Sequence, residues 1–125
     1  VAGALLVTKS IYNVDIFFGI GGGPEGVLAA AALDAHDCHF QGRFIFDNEN
    51  DIKVANSMGI KDLTKKYELK EIVKGDSLFC ATGITNSDIL KGISINNNTY
   101  TSETLITHKS SNYKKVVRLV KSLDE

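Results

Sequence analysis

The chain has almost no proline and almost no net charge. Pro24 is its single proline, and 14 basic residues stand against 15 acidic ones for a net charge of -1. That balance leaves no global electrostatic footprint for nucleic acid or for an anionic membrane, so any function is local. Cysteine is scarce too. Cys38 and Cys80 lie far apart in apolar or mixed surroundings, which fits two small buried hydrophobes in a reduced, cytoplasmic protein better than a disulfide scaffold. Long apolar runs are missing. The longest, Val27 to Leu33, has seven residues, against roughly 20 for a membrane-spanning helix, and no charged segment followed by an apolar one opens the chain as a secretory signal would. Val1 is not a methionine, and no Ser, Thr, Asp or Asn precedes VAGALLVTKS to cap the helix it predicts. The expectation is a piece of a longer polypeptide.

What is present suffices for one core: 43% of the 125 residues are hydrophobic and 8% aromatic. After an opening helix to about Ser10, the run Ile16-Phe17-Phe18-Gly19-Ile20 predicts a buried strand, being β-branched and aromatic and bounded by a turn signal and glycines. Pro24 to His36 predicts an alanine-rich helix with Pro24 at its first position, where a missing N–H costs nothing. CHFQGRFIFD predicts a second strand through Phe44-Ile45-Phe46, with Asp47 at its end. Asn48 to Asn50 then offer a cap for a helix over Asp51 to Met58 that stops at Gly59. Short charged segments follow at Leu63 to Tyr67 and Leu69 to Lys74. Asp76 to Ile84 predicts a third strand. Gly92 to Ile95, the Asn96-Asn97-Asn98 turn and Thr99 to Lys109 predict antiparallel ribbon, and Tyr113 to Leu123 fits a last strand or a C-terminal helix, the strand being preferred. This order predicts an α/β fold with a mixed sheet, largely parallel at first, antiparallel edge strands at the C-terminal end and helices on both faces. No repeat or linker divides residues 1–125.

The stretch FGIGGGPEGV, Phe18 to Val27, concentrates the chemistry. Gly21-Gly22-Gly23-Pro24-Glu25-Gly26 matches GxGxxG after a predicted strand and at a predicted helix start, and Asp47 lies about twenty residues on, where a dinucleotide fold places its ribose-binding acid. Two features oppose direct phosphate binding. Pro24 deletes one N–H donor, and Glu25 sets a full negative charge beside the anion, more than a helix terminus worth about half an elementary charge can cancel. A divalent cation resolves the conflict, because Mg2+ or Mn2+ takes carboxylate oxygens on one side and phosphate oxygens on the other. Glu25 is then a metal ligand, with the glycine amides beside it. The alternative is an ordinary first-turn acid favoured by the macrodipole.

The segments GIGGGPEGVLAAA (Gly19 to Ala31), Gln41-Gly42-Arg43, GDSLFCATGIT (Gly75 to Thr85) and Leu90-Lys91-Gly92 resemble, in order and over nearly all the chain, the C-terminal part of class II fructose-1,6-bisphosphatase. The resemblance implies a metal-dependent sugar-phosphate phosphatase of the lithium-sensitive, inositol-monophosphatase-like fold. Such enzymes hydrolyse the 1-phosphate of fructose 1,6-bisphosphate in gluconeogenesis, and some also take sedoheptulose 1,7-bisphosphate. It further implies that Glu25 is a ligand of the catalytic Mn2+ or Mg2+ and that Gly22 touches the substrate through its backbone, flanked by Gly21 and Gly23. The family usually carries alanine where Gly23 stands. Its other metal carboxylates, its substrate-binding lysine and arginine and an Asp-Gly-Asp segment lie upstream, in an N-terminal part absent from this chain. No catalytic residue is therefore assigned within it. A single glutamate cannot assemble a metal cluster, so the chain alone is expected to be inactive. The full-length protein is expected to be a cytoplasmic homo-oligomer whose partner is a small sugar bisphosphate, with neither nucleic acid nor membrane. Two other function classes stay open: a Rossmann-type oxidoreductase domain, which would bind a dinucleotide without metal, and a non-catalytic interaction module.

Other groups have plainer roles. His36, Cys38 and His39 lack a second ligand pair for zinc, and His108 is isolated on an alternating strand. Asp47, Glu49 and Asp51 suit helix capping. Thr82 and Thr85 suit turn hydroxyls, and no GxSxG frames Ser87 beside Asp88. Lys109, Lys114, Lys115, Arg118 and Lys121 form a solvated face without aromatic platforms for bases.

Overall fold

The computed structural model describes residues 1–124. Helix α1 (Ala2–Leu5) tightens into two 3-10 turns, Leu6–Thr8 and Ser10–Tyr12, so the opening helix is shorter than the sequence predicts. Helix α2 (Gly23–Asp34) is the central rod. Its N-cap is Gly22, which places Pro24 at the second helical position instead of the first. Small strands β1 (Gln41–Gly42) and β2 (Tyr67–Glu68) pair antiparallel, with Gly42 opposite Tyr67. Between them lies α3 (Glu49–Ser57), and α4 (Leu69–Ile72) follows β2 directly.

The main sheet holds β3 (Leu78–Thr82), β4 (Ser94–Asn96), β5 (Thr99–His108) and β6 (Tyr113–Ser122). Strand β5 is its spine, flanked on one edge by β3 and β4 and on the other by all of β6. The β4–β5 hairpin turns on Asn97 and Asn98, at φ 46° and 63°. These are the paired left-handed residues of a tight hairpin, which asparagine tolerates better than most side chains.

Alanines put α2 close to the sheet. On one side Ala32, fully buried, meets Leu5, Phe79, Leu90 and Leu105; on the other Ala29 and Leu33 meet Ala4, flanked by Val7, Cys38, Phe40 and Leu69. Small side chains allow this two-sided contact at little entropic cost.

Three expectations about layering are corrected. Every ladder among the described residues is antiparallel, so the sheet is not parallel at first. The helical layer covers one face only: Leu78 on the other is 64% exposed and Cys80 is exposed. Neither Ile16-Phe17-Phe18 nor Phe44-Ile45-Phe46 is a strand. A strand needs a neighbouring backbone to take its N–H and C=O groups, and neither run has one among the described residues. Instead, the Phe17 ring lies against the bare Cα atoms of Gly3 and Gly19, and Phe18 projects outward, 83% exposed.

Candidate active site at the glycine loop

Residues Gly19 to Gly22 deliver the chain, without regular structure, to the N-terminus of α2. Gly22 is extended there (φ -65°, ψ 153°), and its carbonyl accepts the Gly26 N–H at 3.0 Å. With that donor committed and Pro24 lacking one, Gly23 and Glu25 hold the remaining N–H groups of the first turn.

The Glu25 side chain folds back over Gly22. A Cβ at Gly22 would overlap Oε2 of Glu25, whereas one at Gly21 would meet open space. The carboxylate is exposed and has no hydrogen-bond or ion-pair partner among the described residues. Glu25 and the glycines expected to join it therefore share one open surface.

The Phe44 ring lies to one side of this surface. A Cβ at Gly23 would sit 4.0 Å from its ring, at ordinary contact distance. The ring in turn meets Tyr67 edge-on at 5.7 Å and Phe46 at 6.1 Å. Tyr67 carries the Lys65 ammonium 4.8 Å above its ring, and the same ammonium pairs with Glu71 at 2.7 Å. The sequence gives Phe44 no such role, because the alternation of RFIFD points to a strand.

No three His, Cys, Asp or Glu side chains among the described residues converge as a metal centre. Among the described residues Glu25 stands as one carboxylate. Its lack of partners and the cradle of bare Cα atoms beside it fit a share in a cation site, but they do not make a whole one.

The other acids go elsewhere. Asn48 accepts the N–H groups of Asn50 and Asp51 at 2.9 and 3.0 Å, and Asp51 Oδ2 accepts the Asp47 N–H at 3.2 Å. Asn48 is thus the helix cap, Asp47 joins it only through its backbone N–H, and Asp47 ends no strand. Ser87 accepts the N–H groups of Ile89 and Leu90, and Thr82 shares a 2.8 Å hydrogen bond with Thr104.

His108 is less isolated than its sequence suggests. Its ring meets Asp76 Oδ2 and Ser111 Oγ, both at 2.8 Å, and Ser110 donates to the other Asp76 oxygen. The Ser110 hydroxyl first, then His108, hold the Asp76 carboxyl below its usual range. Next to it, Lys109 reaches Asp34 at 2.8 Å and Asp37 at 3.3 Å, and Asp34 first, then Asp37, raise its ammonium pKa. The β5–β6 turn is thereby tied to the end of α2 and to the entry of β3. No spacing rule finds these pairs, whose members lie 32 and 75 residues apart. Cys38 is partly buried, and desolvation pushes its thiol up; Cys80, expected to be buried, is exposed. Burial first, then Lys114 and Lys9, push the His36 pKa down.

The model of the family described as bacterial fructose-1,6-bisphosphatase, glpX-encoded, matches residues 1–123. A protein of Haemophilus influenzae named fructose-1,6-bisphosphatase class 2 is 37% identical, with 100% of this chain and 41% of the relative covered. Fructose-1,6-bisphosphatase 1 class 2 of Escherichia coli K12 is 34% identical over 98% of the chain and 40% of its own length. A Trichormus variabilis protein named D-fructose 1,6-bisphosphatase class 2/sedoheptulose 1,7-bisphosphatase is 40% identical over 65% of the chain and 27% of its length. The chain thus spans about two fifths of the first two relatives, 41% and 40%. With nearly every position matched and the GGGPEG loop seated at a helix start, the chain belongs to the glpX-encoded bacterial fructose-1,6-bisphosphatase family.

Proposed function

We propose that this chain is the C-terminal part of a metal-dependent phosphatase that removes the 1-phosphate of fructose 1,6-bisphosphate. Glu25 supplies one carboxylate to a divalent cation, Mn2+ or Mg2+, and the backbone of Gly21, Gly22 and Gly23 cradles the substrate. The observation that carries this is the Glu25 carboxylate, exposed, unpartnered among the described residues and folded over the bare Cα of Gly22.

The cation, when bound, lowers the pKa of a water and neutralises charge on the phosphoryl group. The chain's own residues orient. The helix start fixes Glu25 along the axis of α2, the absence of a Cβ at Gly22 leaves room for its carboxylate, and the N–H of Gly23 is free to meet an oxyanion. Hydrolysis requires further carboxylates from outside the described residues. Sedoheptulose 1,7-bisphosphate is a second substrate on this reading, since relatives bear both names. The working enzyme is a cytoplasmic homo-oligomer. A dinucleotide role is disfavoured, because Asp47 ends no strand and every ladder among the described residues is antiparallel.

The test is Glu25→Gln in the intact protein. Outer-shell changes cost about 10- to 100-fold in metal affinity, so loss of a ligand should weaken Mn2+ binding by at least ~10-fold and depress turnover. The melting temperature without metal should stay unchanged. Unaltered Mn2+ affinity would overturn the assignment.

A further inference from the structure

Away from the glycine loop, reactive side chains meet at the C-terminal end of β5. His108 closes that strand, with Leu78 of β3 and Tyr113 of β6 directly opposite it. Its ring bridges two partners. Nε2 meets Asp76 Oδ2 and Nδ1 meets Ser111 Oγ, each at 2.8 Å.

The chemistry of the partners assigns the protons. The Asp76 carboxyl, held below its usual range by the Ser110 hydroxyl first and His108 second, is ionised and can only accept, so Nε2 carries a hydrogen. A neutral ring then has a bare Nδ1, and the Ser111 hydroxyl donates to it. Asp76, His108 and Ser111 thus stand as an orienting acid, a base and a hydroxyl nucleophile, inside the reach of about 2.6 to 3.2 Å that proton transfer needs. The acid is fixed from behind as well. Ser110 donates to its other oxygen, so the carboxylate cannot swing away from the ring without losing that bond.

Ser111 is exposed in the turn between β5 and β6. Its own N–H has no acceptor among the described residues, and serine hydrolases use the N–H of the nucleophilic serine as one of their oxyanion donors. Ser110 lacks this setting, since its hydroxyl points at a carboxylate and not at an imidazole. We propose that Ser111 is a nucleophile that takes the acyl group of an activated ester, with His108 as its general base and Asp76 as the positioning residue that orients the base. Ser111 Oγ attacks the carbonyl carbon as its proton passes to Nδ1. The bond from that carbon to the leaving oxygen then breaks, the leaving group takes the proton from Nδ1, and acyl-Ser111 remains. No oxidant or reductant is needed.

One free N–H is a weak oxyanion site, because each such donor is worth about 10²- to 10³-fold in rate. The reaction is therefore confined to esters with a good leaving group, such as aryl esters. Leu78, 64% exposed, and Tyr113 flank the ring with apolar surface for the aryl part. Deacylation needs the same oxyanion site and expels a poorer leaving group, so acyl-Ser111 accumulates. The site shares no residue with the glycine loop.

The experiment treats the intact protein with p-nitrophenyl acetate, follows p-nitrophenolate release and maps the acetyl group by peptide mass spectrometry. One acetyl per chain on Ser111 is expected, formed at least ~100-fold faster than on any other serine, the order of rate a general base supplies. Ser111→Ala should remove this label, and His108→Gln should slow it by a similar factor. Asp76→Asn should slow it too, while nitrogen-15 NMR shows the His108 proton moved from Nε2 to Nδ1, a change that a merely structural role of Asp76 would not produce. Circular dichroism checks the fold of each variant. Mapping the unaltered protein needs no variant, so the nucleophile is decided even if a substitution unfolds the chain. Acetyl on Lys109, or spread evenly over the serines, overturns the proposal. Labelling of Ser111 at full rate in a folded His108→Gln overturns it as well.

Discussion

Gly22 and Asp76 show how much a single residue decides. At Gly22 a methyl group would occupy the space of Oε2 of Glu25. Gly22→Ala should therefore displace the carboxylate and weaken Mn2+ binding in the intact protein, with the fold preserved by circular dichroism. The backbone at Gly22 is extended, so the cost comes from space and not from φ. Asp76 contributes to acid stability. Its carboxyl is held down by Ser110 first and His108 second, so its folded pKa lies below the unfolded value of about 3.9. Its contribution is then fully present above that value and lost as pH falls through the folded one. Denaturant midpoints measured from pH 6 down to pH 3 should fall less steeply for Asp76→Asn than for the parent. An unchanged slope would mean that the turn network does not contribute. Of these two residues, only Gly22 was marked in the sequence. Asp76 acts through partners on another strand, and no local pattern reports them.

Elements divide by where their hydrogen bonds go. Helix α2, the Asn48 cap of α3 and the β4–β5 and β5–β6 hairpins were legible because their determinants are local: alanine content, a side-chain acceptor ahead of a helix, asparagines that accept positive φ. The two aromatic runs were not. Ile16 to Phe18 and Phe44 to Phe46 have strand composition, yet strand formation needs a second backbone that composition cannot supply. At α2 the close fit is also a vulnerability. Ala32 is fully buried between the helix and the sheet, and overpacking a full core costs about 1 to 3 kcal/mol. Ala32→Leu should lower unfolding stability by that order, read from denaturant midpoints at unchanged m-value. A smaller loss would show that the helix can step back from β3 and β5.

At the scale of the whole molecule, much apolar surface is exposed, from Ile11 to Leu123. Ile16, Phe18 and Ile20 are 66%, 83% and 88% exposed just ahead of the glycine loop. The chemistry is equally partial. One unpaired carboxylate is offered, and no cluster of metal-binding side chains accompanies it among the described residues. The 125-residue chain by itself should therefore turn over fructose 1,6-bisphosphate, with Mn2+ present, far more slowly than the roughly 1 per second of an ordinary enzyme. A phosphate-release assay on the purified chain checks this.

Amino-acid order by itself determined the family, the helix that follows the glycine loop and the hairpins of the second half. The helix and the hairpins follow from residues within a few positions of one another, and the family from short segments in fixed order along the chain. Only the tertiary structure decided that the main sheet is antiparallel and covered on one face, that the Glu25 carboxylate folds over Gly22 and that Asp76 clasps His108 and Ser110. These depend on backbones and side chains distant in sequence meeting in space, and strand pairing and packing select those meetings only when the chain is folded.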